Sequence, residues 1–167
     1  MLKPFLIPLT CAAALSLAAC SEDAADTAAP AAEGAASAGE GVAAIMEARH
    51  EAFEKLGKTF KTISDQLRSG SPDLSIVQPA AASVPEITKD METWFPAGSG
   101  PESGIKTDAL AAIWEKPEEF AAKIAAHKTA AASLGAAAGT GDIGAITAAF
   151  KATGATCGSC HDSFKAD

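Results

Sequence analysis

Near the end of the chain, residues 157–161 read Cys-Gly-Ser-Cys-His. The spacing C-x-x-C-H is typical of covalent haem attachment, in which two thiols form thioethers with the porphyrin and the adjacent histidine binds the iron. Because residues three and four apart share one face of a helix, Cys157, Cys160 and His161 are expected to point the same way. The sequence therefore predicts one haem c, held through Cys157 and Cys160, with His161 as the axial metal ligand.

Two other interpretations fit this motif less well. A redox dithiol usually lies at the start of a helix that follows a strand, and the sequence contains no strand pattern of any length. A structural zinc site needs four ligands. Outside the first forty residues, the available thiols and imidazoles are Cys157, Cys160, His161, His50 and His127. Haem attachment is favoured because the motif, its helical setting and an export signal agree.

The composition predicts an all-α protein. Of the 167 residues, 48% are hydrophobic but only 5% are aromatic, and tyrosine is absent. Much of the apolar fraction is alanine, the best helix former. With so few large side chains, a flat apolar cofactor would help to build an adequate interior.

Four segments show the periodicity of amphipathic helices, and together they predict an antiparallel four-helix bundle with the haem in its core. The first runs from Val42 to Arg68, and the second from Leu74 to about Phe95, with Pro79 and Pro85 inside it. The third opens at Lys116-Pro117 and ends among Gly135, Gly139 and Gly141, and the fourth starts at Ile143. Asp73 or Ser71 is expected to cap the second helix, and Asp142 the fourth. Their apolar stripes are Val42, Met46, Arg49, Phe53, Leu56, Phe60, Ile63 and Leu67; Val77, Val84, Ile87 and Met91; Phe120, Ile124, His127, Ala131 and Leu134; and Ile143, Ile146, Phe150, Cys157, Cys160/His161 and Phe164.

The first forty residues are expected to lie outside this bundle. Residues 1–19 have the pattern of a signal peptide, and Leu17-Ala18-Ala19-Cys20 resembles the bacterial lipoprotein box, which predicts a periplasmic protein anchored by lipid at Cys20. Ordinary cleavage after Ala19 is an alternative, whereas the apolar run is short for a membrane span. Residues 20–40 are polar and alanine-rich and are interpreted as a flexible tether, so the folded domain is predicted at 41–167.

The net charge excludes one class of function. Lys and Arg number 13 against 21 Asp and Glu, which gives a formal charge of −8. No basic surface is available for a polyanion, so nucleic-acid binding is excluded. An acidic surface would instead favour docking to basic redox partners.

Four parts of the chain resemble the cytochromes c′. They are Arg49–Phe53, Trp94–Gly100, Thr107–Trp114 and Ala155–Lys165, and the resemblance covers about residues 42–167. It implies a periplasmic four-helix bundle with a single haem. Members of that family are often homodimers through their first two helices, so a homodimer is expected.

The resemblance also assigns the side of the iron opposite His161. In that family the residue four after the first-helix arginine faces the vacant side, and this residue is Phe53. Low-spin relatives have a ligating Met there, and Phe cannot ligate, so five-coordinate, high-spin iron is implied. From its spacing alone, Phe53 is a core residue of the stripe. Met46 and Met91 are possible ligands in principle, but stripe methionines are more often core filler.

Four further residues receive weaker assignments. The resemblance suggests that Arg49 contacts a haem propionate, whereas a long charged side chain on an apolar stripe usually snorkels to solvent. Thr107 and Asp108 correspond to the loop that approaches the haem edge. Lys165, four residues after His161, is expected on the proximal side or in solvent. His127 is assigned no role.

Two functions follow for such a site. An apolar distal face excludes water, whereas NO and CO bind through the metal itself, so we expect a gas-binding haem protein that handles nitric oxide or protects against it. The alternative is an electron carrier of a periplasmic respiratory chain. Peroxidase or reductase activity would need a distal acid–base group that the expected position lacks, so the protein is not expected to be an enzyme.

Overall fold

A computed structural model describes the backbone of residues 31–166 and the side chains of residues 40–166. This part of the chain forms helices α1 (Ala31–Arg68), α2 (Leu74–Thr88), α3 (Ala112–Glu115), α4 (Pro117–Thr140) and α5 (Ile143–Phe164). Single 3₁₀ turns, Met91–Thr93 and Pro101–Ser103, lie between α2 and α3. No strand occurs among these residues, only one isolated bridge between Ala109 and Lys165. The all-α prediction is confirmed.

Helix α1 starts earlier than the sequence pattern predicts. It begins at Ala31, so residues 31–40, which were predicted as part of the tether, are helical. Five of these ten residues are alanine, and their high helix propensity continues the helix backwards from the amphipathic region. The predicted signal peptide 1–19, the possible lipid site Cys20 and the tether up to residue 30 lie outside the described residues.

Asp residues begin two of the long helices, as predicted. The Oδ1 atom of Asp73 accepts a hydrogen bond from the Ser75 N–H at 2.8 Å. The Oδ1 atom of Asp142 accepts from the N–H groups of Gly144 and Ala145. Each carboxylate thereby satisfies backbone donors that have no partner inside the helix.

One predicted helix end is wrong, and another is confirmed at the last of its three candidate glycines. The second helix stops at Thr88, not near Phe95, with both prolines inside it, and the chain continues into a 3₁₀ turn. Helix α4 ends at Thr140 and is capped by Gly141 with a left-handed φ of 69°, so Gly141 marks the end as predicted, whereas Gly135 lies inside the helix. The structure gives Gly135 a packing role: a Cβ there would lie 3.0 Å from Cγ of Pro85, so the glycine admits the proline ring of α2.

The long helices pack in sequence, α1 on α2, α2 on α4 and α4 on α5. Short turns join α1 to α2 and α4 to α5, which makes each of these pairs antiparallel, whereas residues 89–116 separate α2 from α4. The four long helices confirm the predicted four-helix bundle. All five residues of the predicted third stripe are buried, and the centre of the core consists of fully buried aliphatic side chains: Ile63, Val77, Val84, Leu134 and Ile146. No helix within residues 31–166 has both the length and the apolar content needed to cross a bilayer.

Candidate haem site

A cavity of about 780 Å³ opens beside α1 and α5 and extends to the walls formed by α3, α4 and the loop before α3. This volume lies within the range of about 300–1,000 Å³ that ligand and cofactor sites occupy. The cavity is lined by the seven residues that were predicted to bind haem: Cys157, Cys160, His161, Arg49, Phe53, Thr107 and Asp108. Residues of α1, of α5 and of the loop before α3 therefore meet at one site. Their contacts with haem remain predictions.

The motif on α5 presents its thiols and imidazole to this cavity. Cys157 and Cys160 are free and half-buried, and His161 is exposed on the open side. Burial raises the pKa of both thiols, and for Cys160 the nearby Lys123 opposes that increase. Both cysteines are therefore protonated thiols near neutral pH. The donor set fits haem c: two accessible thiols and one imidazole on the same helix face.

The charge of the lining also fits haem. Four cationic side chains and two carboxylates line the cavity, which gives the lining an excess of two positive charges. The chain as a whole has a net charge of −8. The cations are Arg49, Lys106, Lys123 and Lys165, and the carboxylates are Glu47 and Asp108. Haem carries two propionates, whose negative charges this excess would balance.

Arg49 is buried, with 6% of its surface exposed. It does not snorkel to solvent, because its guanidinium turns inward and bonds to the loop that follows α2. Nη1 donates to the Trp94 carbonyl at 3.3 Å and to Ser99 Oγ at 3.1 Å. Nη2 donates to the Ser99 carbonyl at 2.9 Å and to Thr107 Oγ1 at 3.2 Å. Arg49 therefore joins α1 to both ends of this loop.

These four bonds limit what else Arg49 can bind. They occupy the donors of both terminal nitrogens, so the Nε–H group is the one left for the predicted propionate. Burial lowers the pKa of the guanidinium, and none of the described carboxylates pairs with it. The guanidinium also lies 4.8 Å from the centre of the Phe95 ring, a cation–π contact.

Phe53 lies in the cavity wall and is 37% exposed, unlike its buried stripe neighbours Leu56 and Ile63. Its ring meets Trp94 edge-on, with centroids 5.1 Å apart and planes at 84°. Phe95 is the second aromatic neighbour, at 6.2 Å. Phe53 is therefore more than core filler, because part of its ring borders the site.

Both candidate methionines also line the cavity. Met46 and Met91 are buried, with 6% and 7% of their surfaces exposed. The Met46 sulfur lies 3.6 Å from the Ser103 hydroxyl, which places it against the loop. Met46 lies two helical turns before Phe53, so the two residues border different parts of the cavity.

The loop before α3 is fastened to the end of α5. The Asp108 carbonyl accepts from the Ala166 N–H at 2.7 Å, and the Leu110 N–H donates to the Phe164 carbonyl at 3.0 Å. The Asp108 carboxylate and Lys165 Nζ lie 3.6 Å apart, with both side chains largely in solvent. An exposed pair of this kind contributes little stability. The backbone bonds are what hold Asp108 beside the segment that follows His161.

His127 is a buried member of the cavity wall. Its Nδ1 lies 2.9 Å from Thr156 Oγ1, whose own proton is donated to the Thr153 carbonyl. Nδ1 is therefore the donor, and Nε2 has an unprotonated lone pair with no partner in the described structure. Burial lowers the pKa of His127, which keeps the imidazole neutral. An unpaired polar atom of this kind costs about 1–3 kcal/mol.

Three residues of the site were not predicted from the sequence. Lys123 lines the cavity and donates to Ser159 Oγ at 2.6 Å, and its position four before His127 on the stripe could have revealed it. Trp94 belonged to a matching segment but received no role. Ser99 lies in an irregular loop, and no periodic signal marks it as the buried acceptor of Arg49.

A C-x-x-C-H segment on the last helix of a four-helix bundle, facing a cavity inside that bundle, defines a helical c-type cytochrome. The sequence profile of the family described as Cytochrome C' matches residues 44–165. The chain therefore belongs to the cytochrome c′ family, and the predicted resemblance is confirmed. Membership implies covalently bound haem c.

Individual relatives agree with this assignment. The chain is 46% identical over 71 residues to cytochrome c-554 of Cereibacter sphaeroides, covering 42% of this chain and about half (46%) of that relative's length. The structure of cytochrome c prime from Shewanella frigidimarina is 33% identical, with a TM-score of 0.69 over 75% of this chain and 97% of that one. A nitric oxide complex of a mutant cytochrome c prime from Alcaligenes xylosoxidans is 23% identical, with a TM-score of 0.66 over 74% and 94%.

Proposed function

We propose that this chain holds one haem c through Cys157 and Cys160, with His161 as axial ligand, and binds nitric oxide or carbon monoxide on the opposite face. Phe53 carries this proposal, because the residue in that part of the cavity wall has no atom that can ligate iron. Haem, when bound, supplies a metal whose open position takes such gases directly.

The surrounding side chains favour apolar ligands. Phe53 and Phe95 line the site, and their phenyl rings offer no hydrogen bond to a bound anion; Trp94 packs against Phe53 but does not line the cavity. The terminal donors of Arg49 are already used by the loop. A polar ligand would therefore lose its hydration without compensation, whereas NO and CO lose almost none.

The same arrangement supports a binding function without catalysis. His50 also borders the cavity, but it is exposed and its Nε2 lies 3.5 Å from the Glu54 carboxylate on the outer side of α1. Arg49 is held by the loop. Neither the His50 imidazole nor the Arg49 guanidinium is free to move a proton at the position of Phe53, so we propose no enzymatic activity.

The fold is compatible with nitric oxide as the ligand. A mutant of the Alcaligenes xylosoxidans protein, which has the same fold, was solved as a nitric oxide complex. A second candidate function is electron transfer, favoured by the exposed side of the cavity. His161 and Lys106 lie there in contact with solvent, which gives a redox partner access.

We further propose a periplasmic protein anchored by lipid at Cys20 that forms a homodimer. The signal-like residues 1–19 and the Leu-Ala-Ala-Cys tetrad support export and lipidation, and family membership supports the dimer. Mass spectrometry of protein from the native membrane fraction would show a diacylglyceryl modification on Cys20. An unmodified chain that starts after Ala19 would refute the anchor.

Absorption spectra of the ferrous protein test the gas-binding proposal. We expect a broad high-spin spectrum that changes to a sharp one when CO or NO is added. A six-coordinate, low-spin spectrum that neither gas alters would refute gas binding and favour electron transfer. A colourless protein purified from cells that attach haem c would refute both.

A further inference from the structure

We infer that Trp94 is a positioning residue for the gas site: it holds the Phe53 ring closed over the binding face and so limits the rate at which a ligand enters. This inference rests on the proposed function, because it concerns access to the open side of the iron. Nothing in the sequence pattern indicates such a role, since Trp94 lies 41 residues after Phe53 in a loop.

The Phe53 ring has few partners that could hold it. It is 37% exposed and borders the cavity, so one side of the ring is free to move. Its nearest aromatic neighbour is Trp94, in an edge-on contact with centroids 5.1 Å apart. Phe95 is more distant, at 6.2 Å. Trp94 is thus the main aromatic support of the closed ring.

Trp94 itself is fixed from two sides. Its carbonyl accepts a hydrogen bond from Arg49, one turn before Phe53 on the same helix. The next two residues are held by Trp114, whose Nε1–H donates to the carbonyls of Phe95 at 3.2 Å and Pro96 at 3.1 Å. The guanidinium of Arg49 also stacks on Phe95. The backbone that carries Trp94 is therefore held beside Phe53 by bonds from α1 and from Trp114.

A ligand can occupy the open position only when the Phe53 ring has moved aside. The observed association rate is then the intrinsic rate multiplied by the fraction of molecules in which the ring is open. An edge-on aromatic contact favours the closed ring by a factor of about two to ten. Removing the Trp94 ring should raise the open fraction by that factor.

Flash photolysis of the CO complex measures this effect. We expect Trp94→Ala to raise the association rate about two- to tenfold and to leave the dissociation rate unchanged, because the contact is already broken when CO is bound. Trp94→Phe restores an aromatic edge and should return the rate towards wild type. Trp94→Leu keeps apolar bulk without a ring and serves if the alanine variant folds poorly.

Phe150→Ala is the matched control. Phe150 forms another aromatic pair, with Phe60 at 5.1 Å, and does not line the cavity; Phe60 does, but it lies two helical turns after Phe53. The Phe150→Ala variant removes a similar ring from the bundle, so it should lower the stability of the protein without accelerating CO association. Equal acceleration by this variant would show a general loosening and overturn the inference.

A double-mutant cycle gives the sharpest test. Phe53→Ala removes the ring that Trp94 positions, so Trp94→Ala should have no further effect in that background. Additive effects, an unchanged association rate in Trp94→Ala and Trp94→Leu, or a change confined to dissociation would each refute the role of Trp94. These outcomes all require that the wild type binds CO, so they are distinct from failure of the proposed function.

Discussion

Replacing Arg49 by leucine tests the most connected side chain of the site. The guanidinium forms four hydrogen bonds that join α1 to residues 94–107, and it has no charged partner among the described side chains. Leucine fills part of the same volume but leaves the acceptors unpaired. The largest effect is expected at the hydroxyl and carbonyl oxygens of Ser99, because this residue is fully buried and water cannot replace the lost donors.

The expected loss follows from these contacts. A typical hydrogen bond contributes a net stabilisation of about 0.5–1.5 kcal/mol. Removing a buried cation offsets part of this loss, because the cation no longer has to be dehydrated on folding. The free energy of unfolding should therefore fall by about 2–4 kcal/mol. Arg49→Lys keeps the charge but has one nitrogen to place among four acceptors, so its loss should be intermediate.

Urea unfolding of the holoprotein, followed by far-ultraviolet circular dichroism, measures these losses. Arg68→Leu is the matched control: Arg68 is 73% exposed and pairs with Asp65 at 2.9 Å on the surface, so no measurable change is expected. If Arg49→Leu were as stable as this control, the loop would not depend on Arg49, and the account of the site wall would be wrong.

Two further predictions concern the bundle. The pKa of buried His127 lies below its ordinary value of 6.5, so the unfolded chain takes up a proton first as the pH falls. The free energy of unfolding should therefore decrease below pH 6.5 by at most about 1.4 kcal/mol per pH unit. The His127→Phe variant should lack this part of the pH dependence. Identical pH profiles of stability in the two proteins would contradict the prediction. Gly154→Ala, with open space around it, should stabilise α5 by about 0.5–1 kcal/mol, whereas Gly135→Ala meets Pro85 at 3.0 Å and should not; equal gains in chemical unfolding would disprove the packing role of Gly135.

The helices were predictable because their signals are local. The spacing of apolar residues identified the buried stripe of α4, and Asp73 and Asp142 revealed two helix starts from single side chains. Errors arose where contacts between helices decide the outcome. Gly135 looks like a helix end in the sequence, but the proline ring of α2 packs against it within α4.

The site was predictable only in part. The C-x-x-C-H spacing identifies its own residues, and family resemblance indicated Phe53, Arg49 and the loop. The partners of Arg49 could not be predicted, because Ser99 lies 50 residues away in an irregular segment. The spacing of apolar residues predicts whether a position is buried or exposed, but it does not predict which distant carbonyl group accepts hydrogen bonds from a buried cation.

The Phe53→Met variant tests the central claim, that a side chain without a ligating atom leaves one face of the iron open. Absorption and resonance Raman spectra of the ferrous protein report the coordination number before and after substitution. We predict a five-coordinate, high-spin wild type and a six-coordinate, low-spin variant that no longer binds CO. An unchanged spectrum and unchanged CO affinity in the variant would contradict the placement of Phe53 at the gas-binding face.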